Sequence, residues 1–188
     1  MSKHRLHKRI YTIIKAALPV AKGYSLHADY SCSGSRRSGI TRIPLFLGPG
    51  KSRISQLCYV DLIILQHRAI KVLVEIEESG RQPTKILGKF LTSAIATHFA
   101  HPSLSPAPIP KDKKVLFVQI ISSDDLRPNT SRRRQWQSIG EFIRAMVRKG
   151  NVKGIFDYRL LVGKPSEFRT NSLLTHGLTS TISDFLRL

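Results

Sequence analysis

The chain has 188 residues, 41% apolar and 23% charged, a balance that suits one globular domain with its own core and excludes a disordered or low-complexity chain. Lys and Arg number 31 against 12 Asp and Glu, a formal charge of +19 that makes a polyanion the expected partner, with phosphate backbones its commonest use. Two cysteines, Cys32 and Cys58, exclude a disulfide scaffold and a four-thiolate zinc site. No apolar stretch approaches the roughly 20 residues that span a bilayer. No signal peptide is legible behind the basic stretch Met1 to Arg9, so the expected setting is cytoplasmic with no membrane partner.

In chain order, His4 to Leu18 predicts a helix, with Leu6, Ile10, Ile13 and Ile14 on one stripe and Pro19 as its stop. Gly23 to Arg53 is rich in Ser, Gly and Arg and reads as a flexible basic loop able to lie along DNA. Gln56 to Leu65 and Ile70 to Glu77 are apolar, β-branched runs separated by Gln66-His67-Arg68-Ala69, the pattern of an antiparallel hairpin. Pro83 opens a helix to about Phe99. A proline-rich loop leads to a buried strand over Lys114 to Ser122, followed by a turn at Asp124-Asp125. A helix from Ser131 or Arg132 to Arg148 carries Trp136 on its apolar stripe, a core position. Gly154 to Val162 predicts a further strand, and Leu178 to Leu186 a short last helix. This order predicts an α/β fold, a mixed central β-sheet flanked by helices, as a single domain whose core spans about residues 4–162.

The acidic residues carry the chemistry. Glu75 and Glu77 lie two apart on one predicted strand and therefore share a face, about 6.6 Å apart at Cα, while Val72, Val74 and Ile76 turn to the core. If the hairpin turns at His67 and Arg68, facing residue numbers sum to about 135 or 136 and set Asp61 across from Val74 or Glu75. Converging carboxylates repel one another unless a cation intervenes. Hard oxygen ligands suit Mg²⁺, with Mn²⁺ as the alternative ion, and such an ion can activate water against a phosphodiester.

Val60-Asp61-Leu62-Ile63-Ile64-Leu65, a short turn, then Val72-Leu73-Val74-Glu75-Ile76-Glu77 resembles the bipartite motif of the PD-(D/E)XK nuclease superfamily, in the variant with Glu in place of the motif lysine (D-x13-E-x-E). The resemblance implies a restriction-endonuclease-like αβββαβαβ core and a metal-dependent endodeoxyribonuclease. Asp61 and Glu75 would then be metal ligands, with Glu77 in the lysine position. The pattern departs from the family in having Tyr59-Val60 before Asp61, in lacking a Glu on the first helix, where Asp29 is the nearest substitute, and in the missing lysine. Lys85 or Lys89, one or two turns into the following helix, are the candidates to replace it.

The expected function is therefore a type II restriction endonuclease that cuts double-stranded DNA as a homodimer, because one site cuts one strand. The alternatives are a structure-specific nuclease, such as a Holliday junction resolvase or repair nuclease, and a DNA-binding protein without catalysis. Candidate DNA contacts are Arg36, Arg37, Arg42, Arg81, Arg132, Arg133 and Arg134. Gly48-Pro49-Gly50-Lys51-Ser52 mimics the end of a phosphate-binding loop, but Leu45 stands where its first glycine belongs. His4 with His7, and His98 with His101, are three residues apart, yet neither pair has a Cys or carboxylate nearby in sequence to complete a zinc site.

Overall fold

The computed structural model describes residues 4–18, 23–34, 42–79, 82–101, 104–105, 107–124, 126 and 130–187. Its elements run α1 (Arg5–Ala17), β1 (Tyr24–Ala28), α2 (Tyr30–Ser33), β2 (Ile43–Phe46), β3 (Gln56–Val60), β4 (Leu62–Gln66) and β5 (Ala69–Glu77). They continue with α3 (Pro83–Ile95), β6 (His98–Phe99), β7 (Ile109–Ser122), α4 (Ser131–Arg148), β8 (Asp157–Gly163) and α5 (Leu173–Leu186).

The eight strands form one mixed sheet. Its body has the order β1-β4-β5-β7-β8, in which β1, β4 and β5 pair antiparallel while β7 lies parallel to both β5 and β8. The first residues of β7 pair with β6 instead, and β6 leads on to β2 and β3. The fold is thus α/β with a mixed sheet flanked by helices, and the body alone follows the order α1-β1-β4-β5-α3-β7-α4-β8.

Helices cover both faces because parallel strands bury both of theirs. On one face Leu6, Ile10 and Ile14 of α1 and Leu178 and Ile182 of α5 pack on Val72, Val74, Val118 and Ile120. On the other, Phe90 of α3 and Ile143 of α4 pack on Leu73, Phe117 and Tyr158. Trp136 is fully buried, as its place on the α4 stripe predicts. Among the described residues no helix is long and apolar enough to cross a membrane.

Several expected boundaries move. The stretch read as a flexible basic loop holds β1, α2 and β2, because Tyr24, Cys32, Ile43, Leu45 and Phe46 bury their side chains and the two strands find partners in β4 and β3. Gln56 to Leu65 is two strands, not one: the chain leaves its pairing with β2 at Val60 and joins β1 and β5 at Leu62. β7 starts earlier, since Ile109 and Pro110 pair with β6, and α3 ends at Ile95, leaving His98 and Phe99 to form that strand. α5 begins at Leu173, where the Ser172 side chain accepts from the Thr175 amide at 3.1 Å and caps the first turn.

The hairpin register matches its expected sums. Leu62 faces Val74 and Ile64 faces Val72, then a bulge shifts the pairing so that Leu65 faces Ile70. The two-residue connection places His67 and Arg68 at φ of 48° and 74°, the left-handed pair of a type I′ turn, which normally selects Asn-Gly. Replacing His67-Arg68 by Asn-Gly should raise the unfolding free energy by about 1 kcal/mol in urea titrations. A lowered midpoint would mean that the Arg68 Nη2 bond to the Leu104 carbonyl, 3.2 Å long, outweighs the relief of strain.

His27 and His101 stack edge to face with centroids 4.7 Å apart. Burial, then the neighbouring imidazole, pulls His27 from 6.5 down to about 4. The folded state thus resists a proton that the unfolded chain accepts, so this stability is present above pH 6.5 and is lost as the pH falls toward 4. A His27→Gln variant should show a flatter loss of thermal stability across that interval. An identical slope in both proteins would rule His27 out as the source.

Candidate active site

Asp61 is the single residue between β3 and β4. Its carbonyl accepts from the Asp29 amide at 2.8 Å, and its Oδ2 accepts from the Ile76 amide at 2.7 Å. The side chain is thereby pinned beside the end of β5, where Glu75 and Glu77 project. Both glutamates lie on the α3 face, which is covered, so Glu75 is only 1% exposed and Glu77 4%.

Two lysines of α3 reach back to them. Lys89 Nζ donates to both carboxylate oxygens of Glu75, at 3.2 Å each, and to the Tyr59 carbonyl at 2.8 Å. Lys85 Nζ lies 2.7 Å from Glu77 Oε2. A spacing of four residues puts both ammonium groups on one side of the helix. Lys89 is the more enclosed of the two.

His7, which the sequence offers only as half of a histidine pair without a carboxylate, completes this side of the cleft. His7 of α1 points Nε2 at Asp61 Oδ1, 3.7 Å away, and Nδ1 at Glu78 Oε2, 3.0 Å away. The other Glu78 oxygen accepts from the Leu6 amide at the start of α1, and His4 Nδ1 lies 3.8 Å from Oε2. The expectation that His4 and His7 lack a carboxylate is therefore corrected: folding brings one from 71 positions away. Asp29 caps α2, its Oδ1 accepting from the Cys32 amide at 3.0 Å, and it does not line the cleft.

His4, His7, Asp61, Glu75, Glu77, Glu78, Lys85 and Lys89 line a cleft of about 850 Å³, together with Arg42, Ser122 and Asp124. Of the arginines expected to meet DNA, Arg42 stands on this cleft, its guanidinium 5.0 Å from the Tyr59 ring centre. Arg132, Arg133 and Arg134 open α4 and do not line it. Arg36, Arg37 and Arg81 lie outside the described residues.

Burial, and then Asp61, pushes the Glu75 carboxyl well above the usual carboxylate range despite Lys89. Burial likewise raises Glu77, opposed by Lys85 and Lys89. Around His7 burial acts against the charged ring, yet Asp61 and Glu78 together outweigh it and raise the imidazole to about 10. Lys89 follows the same pattern: enclosure disfavours its charge, and Glu75 and Asp61 restore it and raise its pKa.

The cluster thus holds carboxylates that resist ionising together, which a bound cation would relieve. Among the described residues, Asp61, Glu75 and Glu77 do not bring one oxygen each within 4.8 Å of the others, so the three do not converge as the sequence pattern predicts; Asp61 and Glu75 keep the hard oxygens that Mg²⁺ or Mn²⁺ takes. Each Glu75 oxygen has two lone pairs, so the carboxylate can hold an ion while keeping Lys89.

Breaking the enclosed pair should be costly. Lys89→Met leaves Glu75 without its partner and should lower stability by about 3 kcal/mol in metal-free denaturant titrations, with Mg²⁺ restoring part of the loss. A loss below about 1 kcal/mol would mean that water screens the pair as it does at a surface. Set against known proteins, the chain matches no family model, no curated protein and no solved structure.

Proposed function

We propose that the chain is a metal-dependent endonuclease of the PD-(D/E)XK kind, which hydrolyses phosphodiesters of double-stranded DNA. The observation that carries this reading is the meeting of Asp61, Glu75 and Glu77 with Lys89 in one cleft of a protein whose formal charge is +19. The element order of the sheet body supports it, as does the position of Asp61 at a strand break beside the Glu-x-Glu strand.

Asp61 and Glu75 would hold Mg²⁺, or Mn²⁺ in its place. The ion would supply an activated water and neutralise charge on the attacked phosphate. The remaining work falls to side chains of this chain. Lys89 takes the part of the motif lysine, approaching from α3 rather than from β5, and would offer its ammonium to the phosphate while countering, without cancelling, the rise that burial and Asp61 impose on Glu75. Glu77, tied to Lys85, adds negative charge at the far side of the site. Arg42, exposed at the rim, is placed to pair with a backbone phosphate of incoming DNA.

Of the nuclease classes, a type II restriction endonuclease working as a homodimer fits best, since cutting both strands with one site per chain needs two copies. Supercoiled plasmid incubated with Mg²⁺ should yield discrete fragments. Glu75→Ala and Lys89→Ala should each cut at least about 100-fold more slowly, the loss typical of removing one preorganised charge. Nicking confined to four-way or flapped substrates would assign the structure-specific class. A gel shift without cleavage would reduce the protein to a DNA binder and end the catalytic reading.

A further inference from the structure

We propose that His4, His7 and Glu78 form a second metal site, built for Zn²⁺ rather than Mg²⁺, at the start of α1. The proposal stands whether or not the chain cuts DNA, because it uses none of the carboxylates assigned above as ligands.

The ligands come from two elements far apart in sequence. His4 is the N-cap residue of α1 and His7 follows three positions later, so both imidazoles leave the same side of the first turn. His4 sits at φ 67° and makes no side-chain cap, which leaves its ring free of the usual duty of that position. Glu78 directly follows β5. Its Oε1 is occupied by the Leu6 amide, one of the unpaired donors of the helix start, so the carboxylate is already turned with Oε2 toward the two rings.

The distances suit an ion. His7 Nδ1 and His4 Nδ1 lie 3.0 Å and 3.8 Å from Glu78 Oε2, and one donor atom from each residue fits within 4.8 Å of the others. Tetrahedral ligands held at about 2.0–2.1 Å are roughly 3.4 Å apart, so small side-chain movements would bring all three into place. The ion would replace the proton now shared between His7 and Glu78.

The outer partner is also present. With Nδ1 bound to metal, His7 Nε2 carries its hydrogen toward Asp61 Oδ1, 3.7 Å away. A carboxylate behind a metal-bound imidazole fixes its tautomer and orientation. Two imidazoles and one carboxylate make a borderline donor set that favours Zn²⁺, whereas Mg²⁺ requires oxygen in near-octahedral array. The His4 side chain is 46% exposed and the residues line the cleft, so the fourth position faces solvent and would take a water or a substrate oxygen.

Calorimetric titration of the untagged, metal-free protein with Zn²⁺, in excess Mg²⁺, tests the site. One equivalent should bind, the melting temperature should rise by roughly 5–10 °C at 100 times Kd, and Co²⁺ in place of Zn²⁺ should give the visible absorption of a low-coordinate nitrogen and oxygen site. His4→Ala alters a surface side chain without threatening the fold and should weaken Zn²⁺ binding at least about 100-fold, as should Glu78→Gln, since losing even an outer partner costs about 10–100-fold. Glu75→Gln should leave Zn²⁺ binding in place while impairing Mg²⁺ binding. Absence of saturable Zn²⁺ binding would overturn the proposal. So would binding that survives His4→Ala but is lost in Glu75→Gln, because the ion would then sit on the acidic pair.

Discussion

The pairing of Lys89 with Glu75 is the constraint around which the cleft is organised. A carboxylate 1% exposed is strongly disfavoured in its ionised form, and Lys89 supplies an opposing charge from the helix that closes this face of the sheet, although burial and Asp61 still hold the carboxyl well above the usual range. The same ammonium bonds the Tyr59 carbonyl, so one cation fastens α3, β3 and β5 together. Asp61 depends on that arrangement in turn, because its place between β3 and β4 requires both strands to be anchored where they diverge.

Charge segregation follows. Basic residues outnumber acidic ones 31 to 12, yet Asp61, Glu75, Glu77, Glu78 and Asp124 share a single cleft. An excess of positive charge of this size favours anions in general, while a cleft lined by five carboxylates disfavours them unless cations intervene. Lys85, Lys89 and His7 partly meet that need from within the protein, each within 4 Å of a carboxylate oxygen. Divalent ions would meet the remainder, and phosphate then becomes a tolerable neighbour.

Much of this centre was legible in the sequence where local pattern governs geometry. Two strands joined by a two-residue turn have a computable register, and it put Asp61 opposite Glu75 to within one position. Four-residue spacing on α3 likewise put Lys85 and Lys89 on one side of the helix. What could not be read depends on long-range packing. β1 and β2 are only five and four residues long and lie in a Ser, Gly and Arg background, so their alternation was drowned by composition. The break at Asp61 leaves no local trace, since Gln56 to Leu65 is apolar throughout its length apart from that residue and Gln56. The meeting of His7 with Glu78 is set by how α1 lies across the sheet, for which no spacing rule exists.

Apolar residues of similar volume in place of Lys89 and Glu75 would fold as well or better, since burying two charges roughly cancels what their attraction returns. The pair lines a cleft open to solvent, with the Lys89 side chain 27% exposed, so what it contributes there is charge and position at the cleft wall rather than folding energy.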